Sequence, residues 1–334
     1  MASDAIAAVK NGGLEIMLEP IELESVNCGV CGSDRSTPYA SGKDYEYRTS
    51  DEIFHIVKCQ ECGNLYLNPR PIQQELDRIY PPSYYSYNYD KAVHPLALRA
   101  KQWLDDRKLK SWFSHLKMEK PTFLDVGCGN GRYLELLYRR GIPKYKLYGI
   151  ETNLETVDRL NSKGYQTYCG NITDIEPELP PESFDLIVML QVIEHLDDPR
   201  SSLQSLSRLL RPGGILVLET PNSNSADVKL FRQGFWGGYH FPRHWNLFDR
   251  PLLERLLTEA NLEVKSFRFL PSPAFWILSC QHAIANGWRW KKIARSFDPL
   301  QNIPLLSLFT SFDILRSRLG FQTSNIQAIA IKPE

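Results

Sequence analysis

Leu124-Asp125-Val126-Gly127-Cys128-Gly129-Asn130-Gly131-Arg132 is the stretch that decides how this chain is read. It follows an apolar segment of strand character, TFLDVG (122–127), and opens onto GRYLELLYRRG (131–141), whose apolar residues recur at helical spacing. Glycines at alternate positions let a strand-to-helix turn fold tightly and let a ligand approach the backbone with no Cβ in the way. Dinucleotide sites and plain turns also use glycine, so the flanks matter. The spacing here is acid-x-G-x-G-x-G rather than G-x-G-x-x-G, and Asp125 ends the strand just before the turn. A carboxylate there suits a ligand with a cationic amino-acid end better than a pyrophosphate.

A second acid, Glu151, closes KLYGIE 20 residues after Gly131. A carboxylate at the tip of the second strand can accept both hydroxyls of a ribose, as in dinucleotide folds. Alone, it would read as an exposed acid capping the next helix. With the glycine turn at this distance, the ligand reading prevails.

Outward from this pair, strands and helices alternate. KLYGIE, YQTYCG, FDLIVML and GILVLET read as strands, with LETVDRLNSKG and SSLQSLSRLLRPGG as helices between them. Such alternation implies right-handed crossovers and a parallel sheet, and LIVML is apolar on successive residues, as a strand covered on both faces should be. RPLLERLLTEANL, EVKSFRFL and NIQAIAIKP add a helix and two strands. Between the last two strands lies an insertion, 271–320, with two apolar segments bordered by tryptophan and basic residues. That composition suits a membrane surface; a helical cap or a dimer face is the alternative.

The run from Asp125 to Gly131, Glu151 and FDLIVMLQVIEHLDDP (184–199) resemble class I S-adenosylmethionine-dependent methyltransferases. The likeness covers about 121–334 and is most detailed from Phe123 to Pro221. It implies a Rossmann-like α/β sheet, mostly parallel with an antiparallel last strand and helices on both faces. It also implies that Asp125, with the glycine turn of Gly127, Gly129 and Gly131, holds the methionine part of the cofactor, and that Glu151 binds the ribose. Asn171 and Ile172 fall where the family contacts adenine, although many members carry aspartate at the first of these positions. Gln191 would lie beside the methionine end.

Upstream, Cys28-Gly29-Val30-Cys31-Gly32 and Cys59-Gln60-Glu61-Cys62-Gly63 form two C-x-x-C-G knuckles, 27 residues apart. Each pair can present two thiolates to one ion from a single tight turn, with the glycine relieving crowding. Four sulfur ligands suit a tetrahedral Zn²⁺ with no open position, hence structural zinc. Three regions follow: a zinc ribbon at 21–71, a helical connector with a tyrosine-rich segment at 72–120, and the domain at 121–334. In the connector a helix is expected from Pro95 to Leu116, and Tyr85 or Tyr87 could face a sulfonium. Cys128, Cys169 and Cys280, lacking partners at ligand spacing, read as small buried residues. The ribbon, YLNPRP and the tyrosine-rich segment together are similar to enzymes of bacterial sugar and glycan pathways, in particular sugar C-methyltransferases. Those carry a further C-terminal domain, for which this chain is too short.

Two histidines are candidates for the chemistry. His195, in VIEHLDDP, lies four residues past Gln191 near the carboxyl end of the fourth strand; it is a base or acceptor contact, or else a buttress for the cofactor loop. His244, in YHFPRHWNLFD, follows the fifth strand and would face the same crevice, or else pack among aromatics. In the sugar C-methyltransferases an acidic residue precedes the matching histidine. Here Arg243 stands there, so that pairing is missing, and Arg243 itself could bind a phosphate or carboxylate of the acceptor.

Lysine plus arginine equals aspartate plus glutamate at 39 each in 334 residues, a net charge of zero. A grip on extended nucleic acid needs cations in excess, so a small-molecule acceptor is expected, and the resemblance to sugar and glycan-pathway enzymes implies a sugar, nucleotide sugar or glycan precursor. A zinc-bearing RNA methyltransferase and a non-catalytic cofactor-binding interaction protein are the alternatives. No secretory signal is read at the N-terminus, and no run of apolar residues is long enough to span a bilayer. A cytoplasmic location is therefore expected, with peripheral contact at the inner membrane surface through 271–320.

Overall fold

The computed structural model describes residues 6–10, 13–17, 19–81, 84, 93–287, 294 and 296–334. Tyr85 and Tyr87 lie outside these, so the sulfonium role expected of them has no structural counterpart here.

The N-terminal region builds a small antiparallel sheet from β1 (Ser36–Gly42), β2 (Phe54–Cys59) and β3 (Leu65–Leu67). A long helix, α1 (Pro95–Phe113), leads on; it ends three residues before the Leu116 expected from the sequence. The main sheet then takes β4 (Phe123–Val126), β5 (Leu147–Glu151), β6 (Gln166–Cys169), β7 (Phe184–Leu190) and β8 (Leu210–Pro221). Helices α2 (Arg132–Arg139), α3 (Leu154–Ser162) and α4 (Pro199–Leu209) lie between them. After β9 (Asn246–Leu247), α5 (Arg250–Glu259), β10 (Glu263–Leu270), α6 (Pro273–Gly287) and α7 (Ile303–Arg318), the chain closes with β11 (Asn325–Ile331).

The sheet order is β6-β5-β4-β7-β8-β11-β10. The pairs from β6 to β8 are parallel, and β11 lies antiparallel between β8 and β10. Alternate residues of each central strand feed opposite faces. Leu124, Val126, Ile187 and Met189 join one core, with the helix residues Leu203 and Leu256. Phe123, Leu186 and Val188 join the other, with Leu109 and Trp112 of α1. Both faces are thus covered, which is why the strands read as unbroken apolar runs. The chain leaves β4 toward β5 and β6, then returns to β7 on β4's other side. That reversal opens a crevice at the carboxyl ends of β4 and β7, the place where open α/β sheets bind ligands.

The N-terminal sheet is not self-contained. Its fourth strand is β9, from far downstream, pairing Asn246 with Tyr66 and Leu247 with Leu65. Asn64 donates to Asn246 (2.9 Å), and Cys28, Val30, Cys59 and Tyr66 belong to the same apolar core as β4 and β7. A Cβ on Gly29 would stand 2.5 Å from the carbonyl oxygen of Asp197, so this knuckle docks with its backbone directly against the larger domain.

In the 271–320 region, α6 and α7 pack on each other, with Trp276 stacked on Phe309 at 5.7 Å. The outward residues Leu308, Phe312, Leu315 and Leu319 of α7 and its end remain exposed. Among the described residues no helix is long and apolar enough to cross a membrane. The reading of three cysteines as buried holds for Cys128, but Cys280 is half-buried and Cys169 exposed. Cys169 ends β6, an edge strand of the sheet among the described residues.

Candidate active site

The glycine turn sits at the carboxyl end of β4. Gly127, Gly129 and Gly131 all have positive φ (73°, 51° and 80°). The backbone N–H groups of Gly127 and Cys128 both donate to the Ile150 carbonyl, pinning the turn to β5. At Gly127 a Cβ would come within 2.4 Å of Val192, whereas at Gly129 it would meet nothing within 4 Å. Close packing therefore demands the first glycine, and the second fronts open space, as a ligand cradle requires. Glu151 accepts from the Gly129 N–H (2.9 Å) through one carboxylate oxygen and from Thr152 N–H (2.8 Å) through the other. Asp125 is buried behind the turn. Burial first, and the Glu151 charge second, push its carboxyl up to about 8. A carboxyl so placed lacks a cation, which the ammonium end of S-adenosylmethionine would bring. The donor set and the open turn fit that cofactor.

The remaining expected cofactor residues lie along the same edge. Asn171 precedes a short helical turn (Ile172–Ile175), and the Ile172 side chain is spent in the core, 1% exposed. Gln191 follows β7 in the left-handed region (φ 57°). Its side-chain amide donates to Asn325 (3.0 Å) and its backbone N–H to the Glu219 carbonyl (2.8 Å). A glutamine held at such a φ is strained by about 1–3 kcal/mol, a cost that clusters at active sites, ligand clamps and switch regions.

Beyond Gln191 stands a row of imidazoles. His195 shares Nδ1 between the Tyr80 hydroxyl (2.8 Å) and the Arg243 carbonyl (3.0 Å). The His244 ring centre is 4.7 Å from that of His195, and its Nδ1 bonds the Gly238 carbonyl (2.8 Å). Carbonyls only accept, so both rings carry their proton on Nδ1 and present an Nε2 lone pair. Burial holds His195 down at about 3 and His244 well below the usual histidine range, so both are neutral near pH 7. Glu194, fully buried, accepts from the Thr220 hydroxyl through one oxygen (2.9 Å), and burial pushes it up to about 8. A Glu194 oxygen and one ring nitrogen each from His195 and His244 lie within 4.8 Å of one another.

Arg243 corrects an expectation. It is completely buried, with its guanidinium bidentate to Asp44 (3.1 and 2.9 Å) and further bonded to the Ile79 and Phe241 carbonyls. Burial works to raise Asp44, but Arg243 and Thr49 outweigh it and hold the carboxyl at about 2. Four of its five N–H donors are committed and none of the side chain reaches the surface, so the anion it pairs with is the one that the N-terminal region supplies. The histidine–carboxylate pairing missing at 243–244 exists elsewhere: His240 Nδ1 donates to Glu46 at 2.6 Å. Sequence reasoning missed Asp44, Glu46, Glu194 and His240.

The four cysteines converge. Cys28 and Cys62 sulfurs lie 3.5 Å apart, as do those of Cys31 and Cys59, and all four fall within 4.8 Å of one another. These separations exceed a disulfide and approach the edge of a tetrahedron with metal–sulfur bonds of about 2.3 Å. Gly32 and Gly63, at φ 75° and 77°, each donate to the carbonyl of the first cysteine of their knuckle. The set fits a four-sulfur ion site.

A doubly wound sheet with a glycine turn and two strand-tip acids at its switch point defines a Rossmann-like α/β fold of methyltransferase type. The family model described as a methyltransferase domain matches residues 86–266, more than half of the chain. A ubiquinone biosynthesis O-methyltransferase of Neisseria meningitidis serogroup C (strain 053442) is 32% identical over 188 residues, covering 52% of this chain and 75% of that protein. One from Bradyrhizobium sp. (strain ORS 278) is 32% identical over 169 residues, 51% of this chain and 62% of the relative. A Vibrio cholerae serotype O1 (strain M66-2) relative of the same name is 30% identical, and the match spans 30% of this chain and 42% of its length. A solved SAM dependent methyltransferase from Archaeoglobus fulgidus aligns over 69% of this chain and 93% of its own, at 19% identity and a TM-score of 0.45. The chain belongs to the methyltransferase domain family and is an S-adenosylmethionine-dependent methyltransferase.

Proposed function

We propose that the chain methylates a hydroxyl of a small-molecule acceptor, specifically a sugar, nucleotide sugar or glycan precursor. The observation that carries this is the row of neutral, Nδ1-protonated histidines beside the glycine turn. Bound S-adenosylmethionine supplies an electrophilic methyl on a leaving group that needs no acid, so the protein's task is alignment plus removal of the acceptor's proton. His195 and His244 would meet the acceptor through Nε2, as contacts that position its hydroxyl or as the base, and Tyr80 orients the first ring. Asp125, Gly127, Gly129 and Gly131 would hold the amino-acid end, Glu151 the ribose, Asn171 and Ile172 the adenine, and Gln191 the methionine flank. The four cysteines would hold structural zinc. The exposed stripe on α7 supports peripheral contact with a membrane surface.

Isotope transfer from methyl-labelled S-adenosylmethionine to a panel of nucleotide sugars and phenols tests the reading. Label on nucleotide sugars supports it; label on phenols alone moves the acceptor to the second reading, which the names of the ubiquinone-pathway relatives favour. Label on neither removes both. Glu151→Ala is expected to weaken cofactor affinity by about 10-fold or more, the worth of a charge-assisted hydrogen bond; unchanged affinity by calorimetry would take Glu151 out of the ribose site.

Asp125 gives a pH signature. Its folded pKa, about 8, lies above the unfolded value of about 3.9. Its stabilising contribution is therefore complete below about pH 4 and lost as the pH rises through 8. An ammonium brought against it reverses the shift, so cofactor binding at pH 7 should release about one proton. Calorimetry in buffers of differing ionisation heat reads this directly; no net release would mean that Asp125 is already charged.

A further inference from the structure

We propose that His240, held by Glu46 of the N-terminal ribbon, is the base that takes the acceptor's proton, so that the ribbon completes the catalytic site. The inference rests on the methyltransferase reading above and names the residue that does its proton chemistry.

Four observations converge on His240. It continues the row of imidazoles, its ring centre 5.0 Å from that of His244, which in turn lies 4.7 Å from His195 at the strand edge. Among the three it is the one hydrogen-bonded to a carboxylate, Glu46 at 2.6 Å. Its Nε2 is buried with no hydrogen-bond partner, in a side chain only 7% exposed. A buried acceptor left without a donor is rare in a folded protein and calls for an occupant. Finally, His240 has φ 41° and ψ 47°, a left-handed conformation that non-glycine residues adopt chiefly where surrounding structure enforces it, often at functional sites.

The three rings are not equivalent as bases. His195 and His244 point their Nδ1 protons at carbonyls, which stabilise a developing imidazolium only weakly. His240 points its own at a carboxylate, the arrangement that fixes the tautomer and balances positive charge as a proton arrives. Burial works to raise Glu46, but His240, His282 and Arg243 outweigh it, so the carboxylate stays ionised. In the step itself, the acceptor O–H gives its proton to Nε2. An oxygen electron pair forms the new C–O bond while the methyl–sulfur bond breaks, its pair remaining on a neutral thioether sulfur. Imidazolium and Glu46 carboxylate are left as an ion pair.

The groups facing His240 are Glu46 from the ribbon, His244 from its own loop, His195 from the strand edge, His282 of α6 and the rings of Tyr47 and Tyr84. Only Glu46 among them brings a negative charge, so its removal has a defined sign. With Glu46→Gln, the imidazolium is harder to hold, and the acid limb of the kcat–pH profile moves to lower pH while the plateau falls.

The experiment uses the full chain with methyl-labelled S-adenosylmethionine and the acceptor panel. His240→Asn is expected to lower kcat about 100-fold or more, the span of general base catalysis, with S-adenosylhomocysteine affinity unchanged, which also reports a folded cofactor site. Glu46→Gln is expected to lower it about 10-fold and to shift the acid limb. Wild-type turnover with His240→Asn within threefold overturns the proposal and leaves the methyltransferase reading intact, as does an unshifted limb in Glu46→Gln. A wild-type chain that methylates nothing overturns both. Should His240→Asn fail to bind S-adenosylhomocysteine, the Glu46→Gln profile decides alone.

Discussion

Asp44→Ala is expected to destabilise the protein by about 3–5 kcal/mol, the cost of leaving a buried charge without its partner. Arg243 has no exposed surface, and both its terminal nitrogens are committed to Asp44. Its remaining bonds, to the Ile79 and Phe241 carbonyls, and the Tyr47 ring 4.4 Å away satisfy hydrogens without neutralising charge. Removing Arg243 as well should recover much of the loss, because two absent charges need no solvation. Urea unfolding of the single and double variants reads both effects. A single variant within about 1 kcal/mol of wild type would show that water reaches the guanidinium and that the pair is not sealed.

Cys28→Ser is expected to lower zinc content sharply and to take methyl transfer with it. Structural zinc in small domains contributes on the order of 10 kcal/mol to folding, and a segment of this size has little core of its own. The loop after β1 carries Asp44 and Glu46, and β1 pairs with β2, which ends in Cys59. Loosening the knuckles therefore loosens the partners of Arg243 and His240. Metal analysis of the purified variant, with its melting curve, checks the first part; full zinc content would overturn the tetracysteine assignment. Activity normal in a metal-free variant would separate the ribbon from the chemistry.

How far the sequence could be read follows from the range of the interactions. The glycine turn, its two acids and the alternation around them are local patterns, and the sheet follows them strand by strand. The cysteine knuckles are local too, each a five-residue turn. Glu46 and His240 are 194 positions apart, and Asp44 and Arg243 are 199 apart; no spacing rule links them. A polar signal was present: acids alternate with aromatics in Lys43-Asp44-Tyr45-Glu46-Tyr47, and basic residues do so in Tyr239-His240-Phe241-Pro242-Arg243-His244-Trp245. Charged groups set among large apolar ones must find partners, yet the chain offers 39 acids from which to choose. Arg243 therefore looked available to a substrate when it was already occupied, and β9, two residues long, carries no periodicity to detect.

Because Asn246 pairs with Tyr66, 180 positions earlier, the small sheet leaves the ribosome long before the strand that completes it. Until residue 247 has emerged, β3 offers a bare edge that any passing strand could occupy. A metal ion caught early by the knuckles would hold that edge in shape during the wait, giving it a role in biogenesis apart from any in the mature protein. Cutting the gene near residue 71 would accordingly yield two fragments that each need the other, not a small domain and an enzyme.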